Sequence, residues 1–139
     1  MSYIPAQLRW LVIDRAASRC EYCLLSQEGQ EATFHIDHIV PASLGGETIF
    51  ENLALACVSC SLRKAARQNA IDPQTGDEVH LYNPRRESWN DHFEWQGEYI
   101  DGKTPTGRAT VAALNMNRLL AIAIRRTEIS LGRFPPLDI

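Results

Sequence analysis

Behind Pro5, apolar residues at Leu8, Leu11, Val12 and Ala16 recur at helical spacing and predict an amphipathic helix to about Ser18. Trp10 and Ile13 widen its apolar face and are read as core. Residues 25–32 are polar and contain Gly29, a loop signal. Phe34 to Ile39 alternates as a short strand, with Phe34, Ile36 and His38 on one face and His35, Asp37 and Ile39 on the other. Pro41 ends it, and residues 41–51, with Gly45-Gly46, read as an open loop before a second strand from Leu53 to Ala56. The run SLRKAARQNA then predicts a helix over 61–70, with Ser61 as its cap.

The pattern weakens further along. Asp72-Pro73 stops the helix, Thr75-Gly76-Asp77 is a turn, and Val79 to Arg86 holds a short extended piece ended by Asn83-Pro84. Phe93-Glu94-Trp95 and Glu98-Tyr99-Ile100 flank Gln96-Gly97 as a hairpin whose aromatics face the core. Thr106 to Leu131 predicts helix, interrupted around Asn115-Met116-Asn117 and closed by Gly132, and Pro135-Pro136 ends the ordered chain.

The cysteines change this picture most. They occur only as Cys20-Glu-Tyr-Cys23 and Cys57-Val-Ser-Cys60, two C-x-x-C knuckles 33 residues apart. Four thiolates on one tetrahedral zinc make a closed, structural site. Disulfides or a redox pair are the other uses of C-x-x-C, disfavoured by a reducing cytosol and by the lack of a thioredoxin-like strand and helix around either knuckle.

Composition adds limits. A chain of 139 residues, 45% hydrophobic and 22% charged, fits one domain and shows no repeat or low-complexity tract. No apolar run approaches the roughly 20 residues that cross a bilayer, and charges interrupt the N-terminal apolar face, so the reading is a cytoplasmic protein without membrane contact. The net charge of −3 and pI of about 5.8 lack the basic excess of a nucleic-acid binder, which moves attention to local cations.

Between Arg15 and Arg67, RAASRCEYC, HIDHIVP, GG, ENLALAC and a second C-x-x-C before a basic stretch follow one another in an order that resembles the HNH endonuclease family, in its zinc-stapled branch. The HFEW and TPTGRATVAAL segments are similar to extensions on some bacterial members. The resemblance implies an α+β fold: a ββα-metal core at about 15–70 with a four-cysteine zinc site and an N-terminal helix. A C-terminal hairpin plus helical extension at about 71–139 completes a single domain, 1–139.

The implied activity is metal-dependent hydrolysis of DNA phosphodiester bonds, with structural Zn2+ and a catalytic Mg2+ or other divalent ion. Asp37 matches the family's metal ligand, His38 its general base and Asn52 the residue that pins the active-site loop and orients the base. An imidazole with a pKa near 6.5 can take a proton from water at neutral pH, and a carboxylate-held ion can neutralise the phosphate. Adjacent strand residues point apart, so a bend at Asp37-His38 is expected if both are to flank one phosphate.

Ser61 departs from the pattern, which has His or Asn there as the other metal ligand; Ser61 and His35 are candidates for completing the shell. Arg63, Lys64 and Arg67, on the predicted helix, are candidates for phosphate contact. Arg85 and Arg86 are candidates for clamping a backbone beside a stacking Trp89, and Arg118, Arg125, Arg126 and Arg133 form a second basic strip. The implied partner is DNA, double-stranded, with a homodimer left open. The rival reading, favoured by Ser61 and the acidic net charge, is a catalytically degenerate zinc-stabilised module that binds DNA or protein.

Overall fold

A computed structural model describes residues 3–136. Helix α1 covers Ala6–Arg15 with Pro5 as its N-cap, and it stops where Ala17 and Ser18 take left-handed backbone angles. Its packed stripe is narrow: Val12 is fully buried, and Leu8, Ile13 and Ala16 lie against the core. Trp10, expected in the core, is instead 66% exposed. At 100° per residue it stands about 160° around the helix from Val12, and α1 has only one covered side.

Strand β1 (His35–His38) pairs antiparallel with β2 (Leu53–Ala56), from His35 opposite Ala56 to His38 opposite Leu53. The ladder runs unbroken through His38, so the expected bend at Asp37-His38 is absent; the chain turns after Ile39. The intervening loop is not open. It holds two 3₁₀ turns, Ala42–Leu44 and Phe50–Asn52.

Helix α2 (Val58–Lys64) corrects the predicted 61–70 helix at both ends. Cys57, not Ser61, is the N-cap, and its Sγ accepts from the Cys60 amide at 3.4 Å. The helix ends at Ala65, which has positive φ, and Asn69–Ile71 becomes strand β3, paired with β4 (Glu78–His80). Good helix formers lose here to tertiary pairing.

Beyond β4, a one-turn helix α3 (Trp89–His92) leads into the hairpin β5 (Phe93–Gln96) and β6 (Tyr99–Gly102). Its two-residue turn is Gly97-Glu98, one position later than the sequence suggests, because Gln96 pairs with Tyr99 and Gly97 supplies the positive φ. Helices α4 (Pro105–Ala113) and α5 (Leu119–Ser130) are separated at the expected break, where Asn115 is left-handed. Thr104 caps α4 by accepting from the Gly107 amide. On α5, Leu119 is 90% exposed, whereas Ala121, Ile122, Arg125 and Glu128 are buried.

One hydrophobic cluster runs from Val12 through the knuckles and β2 to Trp89, Phe93, Ile100, Met116 and Phe134. The later elements are tied to the first knuckle: Trp89 Nε1 donates to the Tyr22 carbonyl at 2.8 Å, and Arg85 pairs with Glu21. None of the described helices is long and apolar enough to cross a membrane.

Candidate functional site

The four cysteines gather on one point although 33 residues separate their pairs. All four are buried and their sulfurs lie within 4.8 Å of one another. Cys23 and Cys57 Sγ are 3.8 Å apart, the edge expected of a sulfur tetrahedron with metal–sulfur bonds of about 2.3 Å. In each knuckle the second cysteine's amide points at the first cysteine's sulfur at 3.4 Å, from Cys23 to Cys20 and from Cys60 to Cys57. Burial pushes the Cys20 thiol up, whereas hydrogen bonds from the neighbouring sulfurs hold Cys57 down. The cluster has the donors and spacing of a zinc site.

The knuckles bracket β1 and β2, and the second opens α2, so together they set the place of the polar residues on these elements. Asp37 faces α2. Its Oδ2 is 3.0 Å from Lys64 Nζ and accepts from the Tyr22 hydroxyl at 3.3 Å. Oδ1 has no partner among the described residues. Burial raises the Asp37 pKa, opposed first by the Lys64 ammonium, then by the Tyr22 hydroxyl and more weakly by His38. Burial also drives the Tyr22 pKa well up, with the Asp37 charge adding to it, so the phenol stays a donor.

Lys64, a candidate for phosphate contact, is only 2% exposed. It closes the ends of β1 and α2 together, donating also to the His38 and Ile39 carbonyls at 3.3 Å. That placement withdraws it from substrate. His35 lies on the Asp37 face, with Nδ1 2.9 Å from Ser61 Oγ.

His38 faces the other way. Its Nε2 is 2.9 Å from Thr48 Oγ1, and Nδ1 has no partner among the described residues. Asn52 makes no bond to His38. Its Oδ1 accepts from the Val40 amide at 3.0 Å, while Nδ2 donates to the Val40 and Glu47 carbonyls at 3.0 and 2.8 Å. One side chain thus closes the loop 40–47 and delivers Thr48, next in sequence, to the imidazole.

Gly46 makes the closure sterically feasible: a Cβ there would sit 1.7 Å from the Val40 carbonyl oxygen and 2.9 Å from Asn52 Nδ2. Arg15 clamps the second 3₁₀ turn, donating to the Phe50 carbonyl at 2.7 Å and to that of Leu53, with its guanidinium 3.8 Å above the Phe50 ring.

Most of the other predicted nucleic-acid contacts are placed elsewhere. Arg85 is engaged by Glu21, which also accepts from the Leu55 amide. Trp89 is buried against Phe93 and Trp95 and cannot stack a base. Arg67 lies beyond α2 and donates to the Arg63 and Ala113 carbonyls at 2.7 and 3.0 Å. The second basic strip dissolves: Arg125 is buried and donates to the Met116 and Glu98 carbonyls, Arg126 pairs with Glu98, and Arg133 with Glu128. Arg63 and Arg86 stay exposed.

Sequence reading misses Tyr22, Thr48 and Arg15 as site residues. Tyr22 carries the one available signal, an aromatic hydroxyl inside a metal-type knuckle. Thr48 and Arg15 act through contacts that only the closed loop creates.

A strand pair, a polar carboxylate and histidine set, and a helix starting from a cysteine knuckle define a mixed α/β domain braced by a zinc-type cluster. Residues 20–67 match the family model described as HNH endonuclease, which spans both knuckles, β1, the pinned loop, β2 and α2. HNH endonucleases are nucleases that use divalent metals and act on DNA. No curated protein and no solved structure matches the chain.

Proposed function

We propose that the protein is a zinc-stapled, metal-dependent endonuclease of the ββα-metal kind that hydrolyses phosphodiester bonds of double-stranded DNA. The observation that carries this reading is the state of His38: one ring nitrogen held by Thr48, the other unengaged, on the residue after a carboxylate with one unengaged oxygen. With Nε2–H donated to Thr48 Oγ1, Nδ1 keeps its lone pair and takes the proton of the attacking water. Thr48 and, through the loop, Asn52 orient that ring. β1 pairs only with β2 among the described residues, so a phosphodiester at its free edge meets the Asp37 and His38 sides without a bend in the strand.

Asp37 Oδ1 fits a hard divalent ion, with Ser61 and His35 on the same side to complete its surroundings. When bound, that ion supplies charge neutralisation of the phosphate and stabilisation of the leaving 3′ oxygen. Lys64 holds Asp37 in place, while Arg63 and Arg86 are left to meet the DNA backbone. Zinc on the four cysteines fixes β1 against α2 and takes no part in the chemistry. Products carry a 5′ phosphate and a 3′ hydroxyl.

The second reading, a DNA- or protein-binding module with a silent centre, is favoured by Ser61 and by the lysine already paired with Asp37. Conversion of supercoiled plasmid to nicked or linear form by the zinc-loaded chain, with Mg2+, Mn2+ or EDTA, separates the two. The nuclease requires cutting that EDTA abolishes and that a folded His38→Ala reduces by about 10²- to 10⁴-fold. Folded protein that cuts under none of these conditions is the silent module.

A further inference from the structure

Position 61 carries a hydroxyl, and the structure sets an imidazole against it. Ser61 and Lys64, three apart on one face of α2, clasp His35 and Asp37, two apart on one face of β1. The helix rises about 4.5 Å between its two positions and the strand about 7 Å between its own. The two β1 side chains therefore lie side by side under a single helix face. Asp37 offers Oδ1 and His35 offers Nε2, and neither atom has a hydrogen-bond partner among the described residues.

We propose that His35, through Nε2, is the second protein ligand of the divalent ion held by Asp37, and that Ser61 is the positioning residue that fixes its tautomer. This rests on the nuclease reading above. Nδ1–H donated to Ser61 Oγ leaves the lone pair on Nε2, and a ligating histidine characteristically gives its other N–H to such an outer partner. Ser61 as a direct ligand would break that bond and replace an imidazole with a neutral hydroxyl, a weaker donor.

Metal preference follows from the donor set. A carboxylate alone suits Mg2+, whereas adding an imidazole shifts preference toward first-row transition ions such as Mn2+ and, more strongly, Co2+. The ammonium of Lys64 on Asp37 Oδ2 sharpens this, because it lowers the site's electrostatic hold on any cation and leaves more of the affinity to the nitrogen bond.

The test uses the full chain with zinc on its cysteines, without DNA, titrated with Mn2+ and followed by electron paramagnetic resonance. Free-ion signal gives the affinity, and pulsed spectra of bound Mn2+ report any coordinated imidazole nitrogen. One Mn2+ should bind with a nitrogen coupling that persists in His38→Ala and vanishes in His35→Gln. Affinity should fall at least tenfold in His35→Gln and about tenfold in Ser61→Ala, and Mg2+ should compete poorly.

Zinc stoichiometry and thermal melting report folding for each variant, and Ser61→Ala carries the test if His35→Gln does not fold. Binding that depends on Asp37 but shows no nitrogen coupling, or is unchanged in His35→Gln and Ser61→Ala, overturns the assignment and leaves the nuclease reading standing. No Mn2+ uptake by folded protein removes both.

Discussion

Residues 20–67 and the chain beyond them hold their shapes by different means. In the first region four buried cysteines converge, strands are four residues long, and one asparagine closes the loop. In the second the ties are ion pairs and stacked rings: Asp72 with Arg108, Glu128 with Arg133, Trp89 on Phe93 and Trp95, and Phe134 edge-on to Trp95. The contrast teaches where each region's stability resides. The second carries its partners in its own sequence, while the first converges four buried cysteine sulfurs on a point with the donors of a zinc site.

Zinc removal should therefore produce the largest effect and separate the regions. In zinc-finger peptides such binding is worth roughly 10–16 kcal/mol of apparent folding free energy. Cys57→Ser, or chelation of the wild type, should abolish the cooperative melt. Hydrogen exchange read by segment should show protection lost first over 20–67 and last in α4 and β6. Equal and simultaneous loss in both would break the comparison, leaving the Trp89–Tyr22 and Arg85–Glu21 ties as enough to make one cooperative unit.

The next largest effect belongs to the first region's own ion pair. Lys64→Met leaves Asp37 buried and unpaired, with its side chain only 10% exposed, a loss of about 3 kcal/mol near neutral pH. The sign of the pH dependence follows from Asp37, whose folded pKa burial already raises and which loses its main opposing charge. The folded state then holds the proton more tightly than the unfolded chain. The penalty is fully present above that raised value and shrinks as pH falls through it toward about 3.9. Chemical denaturation at neutral and mildly acidic pH checks this, and Asp37→Asn in the same chain should recover most of the loss.

Asp72 gives the second region the opposite sign. It has no exposed surface and accepts two bonds from Arg108, at 3.0 and 2.8 Å, which with the Gln74 amide and Thr75 hydroxyl hold its pKa down to about 2. Its contribution is present above the unfolded value of about 3.9 and is lost as pH falls through about 2. Asp72→Asn should lower β3–β4 hairpin protection at neutral pH, and its deficit against the wild type should close as pH falls from about 3.9 through about 2, read by hydrogen exchange.

What can be read from the sequence follows the same division. The knuckles, Asp37-His38 and Asn52 stand out because metal-ligand spacing and short polar motifs are local. The sequence also carries the break at Asn115 and the hairpin near Gly97, each a backbone signal. Lys64, Arg67, Arg85 and Trp89 mislead because their surroundings come from distant segments: β1 for Lys64, the end of α4 for Arg67, the first knuckle for the other two. A basic residue's neighbours decide whether it meets solvent or a buried carboxylate, and no spacing rule supplies them. The 61–70 helix fails in the same way, since the partner of Asn69–Ile71 lies seven residues downstream across a turn.

Trp10 offers the smallest effect and isolates this point. Its position in an apolar run suggests burial, but only one side of α1 is covered, and the indole is 66% exposed on the far side from Val12. Trp10→Ser should change stability by no more than about 0.5 kcal/mol, as for surface positions generally. It should also leave plasmid cutting unchanged, since α1 reaches the site through Arg15 at its other end. Denaturant midpoints of the two proteins, compared at equal slope, test it. A loss above about 1 kcal/mol would mean that the outer face of α1 is covered in solution, and that the narrow stripe centred on Val12 is not the whole of its packing.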